Sequence, residues 1–220
     1  MTLETLSDIR VEAKRGVLFE TPIVQASFKN ADSLLNELDA AVRQRLADDS
    51  EGVQRSNIGG WHSDTFMTQW GGDAARALTD KAITIARRLS SFGEKSHDDF
   101  NWTTQMWANV SGPGASNHMH VHPGNLWSAV FYLDMGGAEE DPEVGGAFYF
   151  EDPRFPVAVM HNTAFRFVGQ DGQPQSWQPE IRPKRGDLLM FPAWLRHGVR
   201  PYTGDKERVS IALNVDATLK

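Results

Sequence analysis

Near residue 102 the hydrophobic rhythm of the chain changes period, and that change constrains the fold more than any other feature of the sequence. Before it, apolar residues recur at helical spacing. Leu34, Leu35, Leu38, Val42 and Leu46 form one stripe, opened by Asp32 or Ser33 as N-cap. Ala77, Leu78, Ala82, Ile85 and Leu89 form a second, running from about Asp73 to Leu89 with Gly93 as a stop. After residue 102 the period is two, and TQMWANV, LWSAVFYLD, GGAFYFED, NTAFRFV, GDLLMFPA and RVSIALNV read as successive strands. Turn-forming segments such as SGPGASN, GGAEEDPEVGG and RPKRG separate them, a rhythm that predicts a sandwich or small barrel. Between the two helices, SNIGGWHSDTFMTQWGG has no clear period. It reads as a long loop, either a connector clamped by Trp61 and Trp70 or a substrate-facing lid.

A chain of 220 residues fits one domain with one active site, residues 1–100 supplying helical and loop support and residues 101–216 the β core. Its 40% hydrophobic and 23% charged content is ordinary for a chain that folds. The net charge of -7 gives no basic footprint, which disfavours nucleic acid and anionic membrane as partners. The local group Arg182, Lys184 and Arg185 reads as solvated surface. Cysteine is absent, so disulfides, thiolate nucleophiles and Cys-ligated zinc are excluded and metal chemistry must use His, Asp or Glu. The opening MTLETLSDIRVEAKRG lacks the apolar core of a signal peptide, and no stretch approaches the ~18 apolar residues of a membrane span. A cytoplasmic location is expected; oligomeric state leaves no signal.

His118, His120 and His122 lie two residues apart, and alternate residues of an extended chain share a face, so these imidazoles can converge. Neutral imidazole is the commonest protein ligand for iron, zinc and copper. Two ligands on one strand cannot fix a metal's geometry, so a third arm is needed from elsewhere. His197 in GDLLMFPAWLRHGV suits it, since an apolar strand delivers it into a turn. His62, His97 and His161 lack such settings and read as surface or packing residues.

Eleven residues after His197, Arg208 opens RVSIALNV, whose alternation puts Arg208, Ser210, Ala212 and Asn214 on one face and Val209, Ile211, Leu213 and Val215 on the other. A guanidinium grips a carboxylate through two parallel hydrogen bonds, and a hydroxyl two residues on can add a third, which points to a small acidic molecule. The plainer reading of Arg208 is a surface salt bridge with Glu207 or Asp205.

In order and spacing, HVHPGNLWSAVFYLD, GGAFYFEDP, GDLLMFPAWLRHGV and ERVSIAL resemble the iron(II)- and 2-oxoglutarate-dependent oxygenases, and more narrowly a bacterial and phage branch with a His-x-His…His…Arg-x-Ser pattern. The resemblance covers roughly residues 100 to 216, with weaker similarity at SNIGGW. It implies a mainly β fold with flanking helices, a double-stranded β-helix (jelly-roll, cupin-like) core packed against the N-terminal helices. It also implies a hydroxylase-type dioxygenase with Fe(II) as cofactor, 2-oxoglutarate as co-substrate and a small-molecule or amino-acid-like substrate. His120, His122 and His197 then match the metal ligands, and Arg208 with Ser210 the anchor for the far carboxylate of 2-oxoglutarate. Tyr132 stands where prolyl hydroxylase relatives place a tyrosine on that carboxylate.

One departure stands out: the Asp of the superfamily's His-x-Asp is His122 here, which leaves three neutral imidazoles and a more positive metal. His118 and His120 remain an alternative proximal pair. Two other readings stay open, a three-His cupin-type dioxygenase or metal isomerase without 2-oxoglutarate, and a non-catalytic β-sandwich binding module. The prime substrate would be chosen by loops such as 51–72 and 136–145, and Trp107, Trp127 and Trp194 are expected in the core.

Overall fold

The structure, a computed structural model, describes residues 10 and 12–220; the stretch MTLETLSDI, read above for a leader, lies outside them. In chain order the elements are β1 (Val24–Ser27), α1 (Asp32–Asp48), β2 (Asn57–Ile58), β3 (Trp61–His62), α2 (Met67–Trp70), α3 (Gly72–Leu89), β4 (Phe100–Ser111), β5 (Ser116–His120), β6 (Trp127–Met135), β7 (Phe148–Phe150), β8 (Glu180–Ile181), β9 (Asp187–Pro192), β10 (His197–Val199) and β11 (Arg208–Leu219). They form a six-stranded sheet ordered β1-β9-β6-β11-β4-β3 and a five-stranded sheet ordered β2-β5-β10-β7-β8. Every pairing between these strands is antiparallel. The two sheets face each other as a jelly roll, and α1 and α3 cover the outer face of the larger one. No helix among the described residues is long and apolar enough to cross a membrane.

The twelve residues of β11 organise this architecture, because the strand pairs along its whole length with β4, from Arg208 opposite Ser111 to Leu219 opposite Phe100, and on its other side with β6. Its apolar face behaves as its alternation predicts. Val209, Ile211, Leu213 and Val215 are fully buried against Leu38 and Val42 of α1 and Leu78, Ala82 and Ala86 of α3. Burying each large aliphatic chain contributes roughly 1.5–3 kcal/mol. The opposite face turns Arg208, Ser210, Ala212 and Asn214 toward the second sheet, where they help line a cavity of about 520 Å³. A smaller apolar cluster closes the neighbouring end between the sheets, with Phe148 and Phe150 of β7 against Leu189 and Phe191 of β9.

Several local expectations need correction. Helix α1 starts at Asp32 itself, with Ala31 as N-cap; no side chain caps it, and the Ser33 hydroxyl donates instead to Glu37. Asp32 lies in the first turn, where its charge complements the helix dipole. Helix α3 ends at Leu89 as expected, with Ser90 and not Gly93 as its C-cap. The supposed loop after residue 51 holds β2, β3 and α2. In it the chain leaves the smaller sheet at Ile58 and enters the larger one at Trp61 through Gly59 and Gly60, both at positive φ. A Cβ at Gly60 would approach the Val110 carbonyl to 2.8 Å, which explains a glycine there. The run NTAFRFV forms no strand: only Val168 makes an isolated antiparallel bridge, to Pro174, while Phe165 and Phe167 pack on Trp177. Strand β1 has only four residues and went unread; its Gln25 and Ser27 hold the buried carboxylate of Asp187 at 2.8 and 2.6 Å. Trp127 is core as expected, whereas Trp194 is 55% exposed.

Replacing Ile211 by Ala removes part of the seam between sheet and helices and is expected to destabilise the chain by about 2–5 kcal/mol, read as a lower midpoint in urea unfolding.

Candidate metal centre and its cavity

His120 and His197 meet because their strands pair: β10 runs antiparallel to β5 with His197 directly opposite His120, and the ring centroids are 4.3 Å apart. His122 lies beyond the end of β5, where its backbone N–H donates to the Ala193 carbonyl at 2.9 Å and brings the ring within 5.1 Å of His197. One ring nitrogen from each of the three lies within 4.8 Å of the others. Nε2 of His122 and Nε2 of His197 are 3.2 Å apart. Two nitrogens bound ~2.1 Å from one ion at near right angles would be separated by about 3 Å. His118 stays outside the group, exposed, because the strand ends at His120 and the turn beyond it aims His122 back. No carboxylate joins the cluster among the described residues.

Hydrogen bonds decide which nitrogen each ring offers. Nδ1 of His120 lies 2.7 Å from the His118 carbonyl and Nδ1 of His197 lies 2.8 Å from the Leu195 carbonyl. A carbonyl only accepts, so each Nδ1 carries the hydrogen and each Nε2 keeps its lone pair, the arrangement that metal-binding histidines usually show. With the His122 hydrogen on Nδ1, the two Nε2 atoms 3.2 Å apart are both free to share a cation. Phe148 stacks on the His197 ring at 5.4 Å and Phe191 meets it edge-on at 4.6 Å, fixing its plane. Burial first, then the charge a neighbouring His120 would carry, hold His122 down to about 4 and His197 to about 3. Burial likewise lowers His120. All three imidazoles are therefore neutral at pH 7 and can hold a divalent metal.

The same cavity contains a second group of unsatisfied polar atoms. Arg208 is 8% exposed and makes no salt bridge among the described residues; Glu207, an expected partner, pairs with Arg43 instead. Its Nε is buried without a partner, and so is the hydroxyl of Tyr132. Burial pushes the Tyr132 phenol up and the Arg208 guanidinium down from their ordinary values. Two orphaned donors in one wall are unusual, since nearly all buried polar groups in folded chains are paired. Ser210 sits between Tyr132 and Asn109 in the strand register. Gly146, at positive φ, makes room for the guanidinium: a Cβ there would lie 2.7 Å from Nη1 of Arg208. The residues fit a carboxylate, which would accept from Arg208, Tyr132 and Ser210 together.

Beyond these, Gln105, Trp107 and Asn109 of β4 and His62 of β3 line the cavity. The first three are alternate residues of one strand, so two carboxamides on an inward face were the signal available in the sequence. His62 is buried and stacks on Trp107 at 5.7 Å, a packing role as expected, yet it also faces the cavity. Trp107 likewise serves as wall as well as core. His97 packs beside Phe92 and Trp102, and His161 is exposed.

The sequence matches the model of a family described as "Putative 2OG-Fe(II) oxygenase" over residues 105–214, half of the chain. A search of curated proteins found no match. Among solved structures, the chain is similar to a prolyl-4-hydroxylase from Pseudomonas putida (19% identity, TM-score 0.59, covering 88% of this chain and 91% of that one). It is similar to a prolyl hydroxylase from Trichoplax adhaerens in complex with a hypoxia inducible factor peptide fragment (15%, TM-score 0.61, 88% and 83%). It is also similar to HygX from Streptomyces hygroscopicus, solved with nickel and 2-oxoglutarate bound (13%, TM-score 0.56, 89% and 83%). At these identities the likeness is one of fold.

Because His122 and His197 titrate near 4 and 3 in the folded chain and near 6.5 when unfolded, the unfolded state binds more protons throughout the interval between. Stability of the metal-free chain is expected to fall as pH drops from about 6.5 toward 4. Thermal melts across that range should show the fall, and His122→Gln with His197→Gln should flatten it.

Proposed function

The chain belongs to the 2OG-Fe(II) oxygenase family, and on that premise we propose that His120, His122 and His197 hold its iron(II) while Arg208, Ser210 and Tyr132 hold the far carboxylate of 2-oxoglutarate. The observation that carries this reading is the meeting, in one cavity, of three neutral imidazoles and a buried guanidinium that has no counter-ion. It favours use of 2-oxoglutarate over a three-His dioxygenase that dispenses with it. The iron supplies oxidative decarboxylation of 2-oxoglutarate to succinate and carbon dioxide, with the second oxygen atom available to oxidise a substrate.

The chain's own residues prepare that chemistry without joining it. The carbonyls of His118 and Leu195 keep two of the rings in the tautomer that presents Nε2. Arg208, desolvated between β4 and β6, offers a planar pair of donors in a setting where water competes poorly. Tyr132 stays protonated because burial raises its pKa, so it donates and does not repel an anion. Phe150 and Phe191 keep water from the side of His197 away from the cavity, and Phe148 stacks on the ring from the cavity wall. With a cavity of about 520 Å³ to share with the co-substrate, the prime substrate is a small molecule or an amino-acid-sized group.

Succinate formation with Fe(II), oxygen and 2-oxoglutarate tests the reading directly; absence of any 2-oxoglutarate turnover or binding by the iron-loaded chain would overturn it. His197→Ala is expected to lose stoichiometric iron, measured by metal analysis after desalting. Arg208→Ala is expected to weaken 2-oxoglutarate about 10- to 100-fold, the loss of a charge-assisted bond worth ~1.5–3 kcal/mol, by anaerobic titration. Gly146→Ala should weaken it in the same direction while leaving iron content unchanged.

A further inference from the structure

Across the cavity face of the larger sheet, cross-strand register lines up His62 with Asn109, Asn109 with Ser210, and Ser210 with Tyr132. The last two members belong to the co-substrate anchor in the reading above, on which this inference rests. The first two have no assigned task. Nδ1 of His62 lies 2.6 Å from the Ser63 carbonyl, so it carries the ring hydrogen, and Nε2 is left as a lone-pair acceptor on the cavity wall with no partner among the described residues. The Asn109 carboxamide likewise has no side-chain hydrogen bond among the described residues and lines the same wall. Trp107 is the spacer: His62 stacks on it at 5.7 Å and His122 meets it at 5.7 Å, so whatever rests on Trp107 lies between the histidine triad and His62. Packing explains the stacked ring, and the geometry leaves Nε2 open to a donor inside the cavity.

Charge narrows the choice of occupant. Arg55 also lines the cavity, and its guanidinium makes no salt bridge among the described residues. Its charge is close enough to add to the burial that keeps His62 neutral. One free cation matches one carboxylate better than the nearly doubled charge of a phosphate. We infer that His62, Asn109 and Arg55 form the prime-substrate subsite and take a small carboxylate that also carries an amino or hydroxyl hydrogen. The carboxylate meets Arg55, the hydrogen is donated to Nε2 of His62, and the carbon frame lies over Trp107 beside the triad. Free α-amino acids and 2-hydroxy acids are the two sources of that chemistry.

The test is anaerobic calorimetry on the full chain loaded with Fe(II) and then 2-oxoglutarate, titrated with the twenty L-amino acids and, in a second arm, with the matching 2-hydroxy acids. At least one compound should bind, and its decarboxylated amine or alcohol should bind at least tenfold more weakly. Arg55→Ala should weaken it about tenfold and His62→Leu about fivefold, with iron content and 2-oxoglutarate affinity unchanged; His62→Gln, which restores an acceptor near Nε2, should recover most of the loss. Arg55 is exposed, so its variant folds even where His62→Leu does not. If 2-oxoglutarate itself fails to bind, the oxygenase reading falls and takes the subsite with it. If 2-oxoglutarate binds but neither panel does, or if the variants or the decarboxylated compounds bind as tightly, the subsite alone is overturned.

Discussion

Everything at the site depends on the register of β11 between β4 and β6. Because side chains alternate with a period of two, the burial of Val209, Ile211, Leu213 and Val215 against the helices leaves Arg208, Ser210, Ala212 and Asn214 no choice but the cavity. A slip by one residue would put the guanidinium into the helix interface and valine into the cavity, at a cost that no single polar contact could offset. The hydrophobic seam therefore aims the anchor. On the partner strand, Tyr132 pairs with Ser210 and Asp134 with Val209, so one residue of β6 bulges out of the ladder. That irregularity lets Tyr132 and Met135 both turn inward, an instance of a bulge re-aiming side chains beside a site.

The triad rests on a different pairing, and the two walls face each other across the same space. β5 and β10 bring His120 and His197 together, and backbone carbonyls two residues before each ring fix its tautomer. Burying three imidazoles in neutral form costs stability that a small apolar patch would not, and Arg208 and Tyr132 add two unpaired donors. Such groups persist where function holds them, since a metal and an acidic co-substrate binding only the folded chain return stabilisation by mass action.

Much of this was legible in the sequence, and the failures have identifiable physical causes. Long strands with clean alternation, such as β4 and β11, declare both their existence and their two faces. His197 and Arg208 were readable because each sits at the edge of an apolar strand. What could not be read depends on partners distant in sequence. The convergence of His122 and exclusion of His118 follow from where β5 ends, which is set by pairing with β10 and by the Ala193 carbonyl. The period of NTAFRFV is real, but its pairing stops at a single bridge from Val168 to Pro174, and Trp177 takes the apolar face. β2 and β3 are two residues each and exist only because β5 and β4 offer edges to them. His62 was legible as packing and not as wall, because its role depends on the turn at Gly59 and Gly60 that moves the chain between sheets.

In the proposed reading, charge balance accounts for a histidine at the position where the resemblance implies a carboxylate. On that reading, three neutral imidazoles would leave a divalent cation with its full +2, and Arg208 adds one more positive charge to the same buried space. Both are unfavourable in isolation. A dianionic co-substrate held by both groups would neutralise two of those three charges, more strongly in a low-dielectric cavity than in water. Metal and co-substrate should therefore bind with mutual reinforcement, each lowering the electrostatic cost of the other. A carboxylate in place of His122 would weaken that coupling by discharging the metal beforehand.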